Sequence, residues 1–320
     1  MNIGIIGAGR WGSFIASYLD SIGKNITLYG RKESTSFKKL IETRRNDNLE
    51  LKPSIKLTTD LEQIVLNPYI IISISSQNLR SLLKQVNQLL NSNITYTFIL
   101  CMKGLEIETG NTLSEIVDQE ITINHYTAVW LGPGHVQSYL QNIPNCMVID
   151  SKDKNTKEYL ANTFSSNLIR FYYGNDLIGN EIGAATKNII GIGAGMLDGL
   201  NLSALKGALM ARATSEIARL IKALGSDPMS AYGLCHLGDY EATIFSPYSH
   251  NRAFGEAFIK NEPFTKLAEG YYTLAAVIKI ANKLQIELPI ISAIDSILNK
   301  KQNPMTVLEQ LFKRQQKQEF

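Results

Sequence analysis

The sequence predicts an α/β fold: a doubly wound parallel sheet followed by an all-α second domain. Three observations carry this. Short, continuous apolar runs alternate with helical patterns through the first half of the chain. A glycine-rich turn joins the first of those runs to the first helix. Past Tyr173 strand-like runs nearly stop and long helical patterns take over. Alternating strands and helices specify a parallel sheet with helices on both faces, and strands covered on both faces read as unbroken apolar runs.

In chain order the expected strands are residues 3–6, 26–29, 69–74, 96–102, 127–131, 146–149 and 168–173. Helices are expected between them at 13–21, 37–43, 79–91 and 112–119. The second domain reads as helices at 181–197, 206–224, 229–235, 264–283 and 288–298. Gly225-Ser226-Asp227-Pro228 and Asn303-Pro304 act as breakers. A boundary near Gly174-Asn175 gives one domain of residues 1–174 and a second of 175–320.

Composition narrows the function classes. At 320 residues the chain can bury two cores. Apolar residues make up 44 % and charged residues 19 %, an ordinary globular balance. A net charge of +3 is too small to imply nucleic acid. The basic cluster Lys313, Arg314 and Lys317 reads as the solvated face of a terminal helix. Cys101, Cys146 and Cys235 are odd in number and far apart, which suits free thiols in a reducing cytoplasm. None of the four histidines has a second ligand at metal-binding spacing, so no metal is expected. Met1 runs straight into a strand without a leader, and no apolar run approaches the ~20 residues of a membrane span. A soluble, cytoplasmic protein with no membrane partner is expected.

Gly7-Ala8-Gly9-Arg10-Trp11-Gly12 follows the first strand and opens the first helix. In that context the pattern is a dinucleotide-binding fingerprint of Rossmann type. Gly7 makes the tight turn, Gly9 lets the backbone approach the diphosphate, and Gly12 lets helix and strand pack closely. The diphosphate then meets the free N–H groups of the helix N-terminus. The second strand ends at Arg31-Lys32 rather than at the acidic residue that holds a ribose 2′-OH. Two cations suit a 2′-phosphate, so NADP(H) is the preferred cofactor and NAD(H) a possible one. The alternative is that Arg31 stacks on the adenine without discriminating.

The candidate reaction centre is Lys187, set in an apolar stretch rich in glycine and isoleucine. Burial lowers the pKa of an ammonium and makes it a usable proton donor near neutral pH. Asn180, Ala184, Lys187 and Gly191 share one helix face, whose small residues allow close approach. Lys103 follows a core strand and so lies at the carboxyl edge of the sheet, where ligands bind in open α/β folds. Gly132-Pro133-Gly134-His135 follows the next strand at the same edge; His135 suits an acid or a loop closing the cleft. Asp239 is the expected partner that holds the charge of Lys187. A second polar run follows at Ser249-His250-Asn251-Arg252.

With these residues in view, the chain resembles the bacterial-type NAD(P)-dependent glycerol-3-phosphate dehydrogenases. The resemblance runs almost end to end. It rests on residues 7–12, Lys103-Gly104, Gly132-Pro133 with His135, Asn175-Asp176, Glu181-Ile182-Gly183 through Lys187-Asn188, Asp198-Gly199-Leu200, Leu237-Gly238-Asp239, Asn251-Arg252 with Gly255, and Glu269-Gly270. It implies the 6-phosphogluconate dehydrogenase-like arrangement of a Rossmann domain and a helical domain. It implies reversible reduction of dihydroxyacetone phosphate to sn-glycerol 3-phosphate, feeding phospholipid synthesis, with Lys187 as general acid/base. By the same resemblance Lys103, Gly132, Gly134, Asp239, Ser249, His250, Asn251 and Arg252 meet the substrate. Arg10, Trp11, Arg31, Lys103, Val136, His250 and Glu269 lie along the cofactor. A homodimer is compatible with the apolar helices of the second domain.

Two positions depart from the family pattern. Gly134 stands where the family usually has serine. His250 stands where the family has the arginine that clamps the phosphate. A neutral imidazole cannot reproduce a bidentate guanidinium contact. Three readings follow: Arg252 or a charged His250 takes over the phosphate; the substrate is a different small carbonyl compound; or the protein is an NADP-binding regulator. Retention of Lys103, Lys187, Asp239 and Thr243 favours the first.

Overall fold

The computed structural model describes residues 1–316, 318 and 319. Lys317, part of the expected basic cluster, lies outside the described residues. Lys313 caps the last helix and Arg314 lies past it, so this pair follows the helix rather than forming its face.

The first domain is one eight-stranded sheet in the order β3-β2-β1-β4-β5-β6-β7-β8. Its strands are β1 (Asn2–Ile6), β2 (Asn25–Tyr29), β3 (Lys56–Thr58), β4 (Tyr69–Ile72), β5 (Tyr96–Leu100), β6 (His125–Leu131), β7 (Asn145–Ser151) and β8 (Ile169–Tyr173). The first six run parallel. Helices α1 (Arg10–Ser21), α2 (Thr35–Thr43), α3 (Leu61–Val65), α4 (Leu79–Asn87), α5 (Leu113–Glu120), α6 (Val136–Leu140) and α7 (Lys154–Phe164) accompany them. Two apolar layers form, one around Ile3, Ile5, Ile15, Leu28 and Trp130, the other around Ile70, Ile72, Phe98, Leu100 and Val129. Covering on both faces explains why the strand sequences are apolar without alternation.

The sheet differs from the expected all-parallel one at its far edge. β7 pairs antiparallel with β6, Ala128 opposite Ser151 and Leu131 opposite Val148. The connection between them holds only the five-residue α6. Such a helix rises roughly 7 Å, against roughly 23 Å for a seven-residue strand. With no helix long enough to run the length of the strand, the chain turns back beside β6 rather than crossing over to a parallel neighbour. β3 was not expected because its three residues, on the sheet edge, are too few to show a pattern.

The chain turns helical between Tyr173, the end of β8, and Leu177, the start of α8 (Leu177–Gly199). Asp176 caps α8, its side chain accepting from Gly179 N at 3.1 Å. The other helices are α9 (Lys206–Ala223), α10 (His250–Lys260), α11 (Glu269–Leu284), α12 (Pro289–Leu298) and α13 (Pro304–Phe312). The expected helix at 229–235 is a 3-10 turn, Pro228–Tyr232. The helix expected from 264 begins at Glu269, after an extended segment.

α8 runs through the centre of this domain and is buried along nearly its whole length. Its glycines make that possible. A Cβ at Gly195 would sit 1.9 Å from the carbonyl of Arg252, and one at Gly255 would sit 2.0 Å from that of Ile192. α8 and α10 therefore cross backbone to backbone. No helix among the described residues is long and apolar enough to cross a membrane.

Candidate active site

The fold brings Lys187, Lys103 and Asp239 together at the carboxyl edge of the parallel strands. Lys103 stands three residues past β5, on the loop that leads toward α5. Its Nζ donates to Gly132 O at 2.8 Å and to Asp239 Oδ2 at 2.6 Å. Lys187, midway along α8, has its Nζ 2.6 Å from the same Oδ2 and donates to Thr243 Oγ1 at 2.7 Å. Thr243 Oγ1 in turn donates to the backbone carbonyl of Asp239 at 2.7 Å. Asp239 is fully buried, and its Oδ1 has no hydrogen-bond partner among the described residues.

Burial dominates the electrostatics of Lys187. It pushes the ammonium down to about 7, against the pull of Asp239; the charge of Lys103 adds to the lowering. A lysine so placed exchanges its proton near neutral pH.

The segment bearing Asp239 and Thr243 is a 3-10 turn running into a π-helical turn, Glu241–Phe245. Such turns recur where a helix must be re-aimed at a functional group. Two buried residues that the sequence reading passed over fix this segment to α8. His236 Nδ1 donates to Gly183 O at 2.8 Å, and Tyr240 Oη donates to His236 Nε2 at 2.6 Å. The carbonyl only accepts, which sets the tautomer. Burial holds His236 neutral, down to about 4. The ring packs on Gly183, where a Cβ would come within 3.1 Å of the His236 Cβ.

At the nucleotide end, Gly7 has φ +113°, and a Cβ there would lie 2.1 Å from Ser73 O. Nothing lies within 4 Å of a Cβ built on Gly9, so the turn is open above it. The N–H groups of Trp11 and Gly12 have no acceptor among the described residues. An open glycine turn with free donors at the start of a twelve-residue helix fits a dinucleotide diphosphate. Arg31 and Lys32 are both exposed just past β2. Val136 is buried at the start of α6.

A hydrogen-bonded seam joins the two domains. Glu269, first in α11, accepts from Ser75 Oγ at 2.9 Å and Ser76 Oγ at 2.6 Å. Gly270 N donates to Asn251 Oδ1 at 2.9 Å, and Asn251 Nδ2 donates to Asn188 Oδ1 at 3.0 Å. Asn188 Nδ2 reaches the backbone carbonyl of Lys103 at 3.2 Å. Ser75 and Ser76 gave no signal in the sequence, because nothing local marks a serine that answers a glutamate nearly two hundred residues away.

Ser249 caps α10, its Oγ accepting from Arg252 N at 3.3 Å. His250 follows it, partly buried; burial, and then the charge of Arg10, lower its pKa. His135 has its Nε2 2.6 Å from Ala242 O, so that loop closes onto the π-helical turn. Gly134 has φ +131°, and a Cβ there would lie 2.6 Å from Tyr139 Oη. A serine does not fit this loop as it stands.

Arg252, expected beside the substrate, is engaged along α8. Its Nη1 pairs with Asp198 Oδ2 at 2.8 Å and Glu256 Oε2 at 3.0 Å, and its Nε donates to Ser246 O at 3.2 Å. Asp198 lies eleven residues beyond Lys187 on α8, about 16 Å along the axis. Held there, Arg252 braces α10 against α8.

The comparisons with known proteins agree with this geometry. The family model "NAD-dependent glycerol-3-phosphate dehydrogenase N-terminus" matches residues 2–157, and the corresponding C-terminus model matches residues 176–309. A glycerol-3-phosphate dehydrogenase [NAD(P)+] of Thermoanaerobacter sp. (strain X514) is 32 % identical over 332 residues, covering 100 % of this chain and 99 % of the relative. One from Clostridium botulinum (strain Eklund 17B / Type B) is 32 % identical over 336 residues, covering 99 % of each. The crystal structure of glycerol-3-phosphate dehydrogenase from Coxiella burnetii superposes with a TM-score of 0.90 at 26 % identity, over 98 % of this chain and 99 % of that one. Matched in both halves and along its full length, the chain belongs to the NAD-dependent glycerol-3-phosphate dehydrogenase family.

Proposed function

We propose that this protein interconverts dihydroxyacetone phosphate and sn-glycerol 3-phosphate with NADP(H), and less efficiently with NAD(H), supplying glycerophospholipid synthesis. The observation that carries the reading is the buried Lys187 ammonium, held by Asp239 and Thr243 at the edge of the sheet beside Lys103. A nicotinamide dinucleotide held at the Gly7–Gly12 turn and the start of α1 would supply or accept the hydride at C2. Lys187 Nζ donates a proton to the C2 oxygen during reduction and takes it back during oxidation. Lys103 adds positive charge where that oxygen becomes negative, and Asp239 aligns both ammonium groups. Such acid–base catalysis is worth roughly 10²–10⁴-fold, and fixed charges add to it. Gly132 offers backbone to the substrate, Asn251 sits on the seam beside it, and Glu269 ties the helical domain to the nucleotide side.

A homodimer and a cytoplasmic setting go with this reading. An open apolar groove of about 890 Å³, with Leu200, Leu205, Ile297 and Phe312 among its walls, supports self-association. Buried, unpaired Cys101 and Cys235 suit a reducing compartment. Light scattering on the purified protein tests the dimer. The activity is tested by NADPH oxidation with dihydroxyacetone phosphate against unphosphorylated dihydroxyacetone. Rapid oxidation that depends on the phosphate is expected; tight NADPH binding without turnover on either compound would reject the enzyme.

A further inference from the structure

We propose that Gln77, just past β4, is a positioning residue: it grips the loop that carries Lys103 and so fixes where that ammonium stands against Asp239 and Lys187. The proposal rests on the reaction proposed above, in which Lys187 moves the proton.

Lys103 lies on a stretch, residues 101–112, that forms neither strand nor helix. Side chains must therefore hold its backbone where no ladder or helical register does. Gln77 sits in a 3-10 turn, Ser76–Asn78, and reaches this stretch on both sides of Glu106. Its Nε2 donates to Leu105 O at 2.8 Å, and its Oε1 accepts from Ile107 N at 3.1 Å. One amide thus makes a two-point, strand-like pairing that begins two residues beyond the lysine. The same Nε2 donates to Ser76 Oγ at 3.1 Å, and that hydroxyl binds Glu269. A Cβ on Gly104 would lie 2.6 Å from Ser76 Oγ, so the loop is seated on this turn directly beside Lys103.

The neighbouring contacts hold other points of the loop. Arg80 pairs with the Glu106 carboxylate at 2.6 Å, and Lys279 Nζ donates to Ile107 O at 2.9 Å. Asn188 Nδ2 meets Lys103 O at 3.2 Å. Gln77 engages a backbone donor and a backbone acceptor at once, which a primary amide can do and a cation cannot.

The consequence reaches Lys187 because both ammonium groups meet one carboxylate oxygen, each 2.6 Å from Asp239 Oδ2. The titratable groups around Lys187 are Asp239 and Lys103 in contact, His135 on the loop bonded to Ala242 O, and His236 with Cys235 beside it under Gly183. Lys103 is the one whose seat Gln77 controls. Withdrawing it removes a like charge and leaves Asp239 to Lys187 alone. Both changes strengthen the hold of Lys187 on its proton.

The test compares wild type with Gln77→Met, Gln77→Ala, Lys103→Met and the double variant Gln77→Met with Lys103→Met. Methionine keeps the length of the side chain without donor or acceptor. Alanine opens Leu105 O and Ile107 N to water, which satisfies them without holding them. In both Gln77 variants the midpoint of kcat/KM against pH, for reduction of dihydroxyacetone phosphate, should rise by about half a unit or more. The low-pH plateau of kcat/KM should fall about tenfold, as expected when a charge aimed at the reacting oxygen is misplaced. In the double variant the midpoint should stay where Lys103→Met alone puts it, because no ammonium is left to displace. The thermal midpoint and the NADPH Kd are measured on the same preparations. A kcat/KM loss that follows stability or NADPH affinity with an unmoved midpoint overturns the proposal, as does a Gln77→Met shift that persists undiminished without Lys103. A wild type that does not reduce dihydroxyacetone phosphate with NADPH overturns the reaction reading itself, before any variant is compared.

Discussion

Lys187 and Lys103 share a single oxygen of Asp239, each ammonium 2.6 Å from Oδ2. One carboxylate oxygen thus orients two cations, and the two cations repel each other. Lys187 is 6 % exposed and sits in a helix of glycine, alanine and isoleucine, so its ammonium is poorly solvated and gives up its proton readily. The pairing keeps it aimed; burial and Lys103 keep it acidic.

Replacing Lys187 with alanine therefore should remove the proton donor and little else. Turnover of dihydroxyacetone phosphate should fall by at least 10²-fold, within the range of lost acid–base catalysis. NADPH should still bind, because the glycine turn and α1 belong to the other domain. Steady-state kinetics and fluorescence titration on the same preparation check this, and near-normal turnover rejects the assignment.

The pH dependence has a definite sign. With Lys187 as the proton donor proposed above, reduction needs it protonated, and burial brings the group down to about 7. The kcat/KM for reduction should be flat well below pH 7 and fall with rising pH above it. Oxidation of sn-glycerol 3-phosphate needs the neutral amine, so its kcat/KM should rise through the same midpoint. The charge of Asp239 raises the pKa of Lys187. Asp239→Asn should therefore move both midpoints to lower pH, whatever it does to the maximal rate. Coincident midpoints in wild type and variant would separate the profile from Lys187.

Cofactor choice should follow the two exposed cations after β2. Arg31→Ala should reduce the preference for NADPH over NADH by about tenfold, or about 1.4 kcal/mol, through loss of a charged contact to the 2′-phosphate. If Arg31 only stacks on the adenine, NADH and NADPH efficiencies fall together. The ratio of the two kcat/KM values decides between these.

The first domain was legible because its signals are local. The glycine turn at 7–12, the unbroken apolar runs and the cation-bearing loop after β5 all show in a few neighbouring residues. Lys187 was legible because a cation amid glycine and isoleucine is costly, and Asp239 followed as its counter-charge. What was missed depends on distance in sequence. Glu269 answers Ser75 and Ser76, and Asn188 ties Lys103 to Asn251. The partners of Arg252 were hidden in part for the same reason. Beside Ser249 and Asn251 it reads as a phosphate ligand; its i,i+4 partner Glu256 is visible locally, but its pairing with Asp198, 54 residues away, is not. Gly134 reads as a missing serine; in the fold its φ of +131° and the Tyr139 hydroxyl leave no room for one.

The His236–Tyr240 pair gives a stability prediction that also reaches the active site. Both side chains are fully buried, and Tyr240 Oη is the donor that satisfies His236 Nε2. Tyr240→Phe keeps the ring and its packing, including the edge contact to His236 at 4.8 Å between centroids. It leaves a buried nitrogen acceptor unpaired, which costs about 1–3 kcal/mol. Urea unfolding should show that loss with an unchanged m-value, since the surface exposed on unfolding is the same. Asp239 lies one residue before Tyr240, and Thr243 lies three after it. Loosening this anchor should blur the placement of both against Lys187. The expected kinetic result is a fall in kcat larger than the change in KM for dihydroxyacetone phosphate, with NADPH affinity unaltered. A variant that loses stability but keeps its full kcat would show that the pair supports the fold without aiming Asp239.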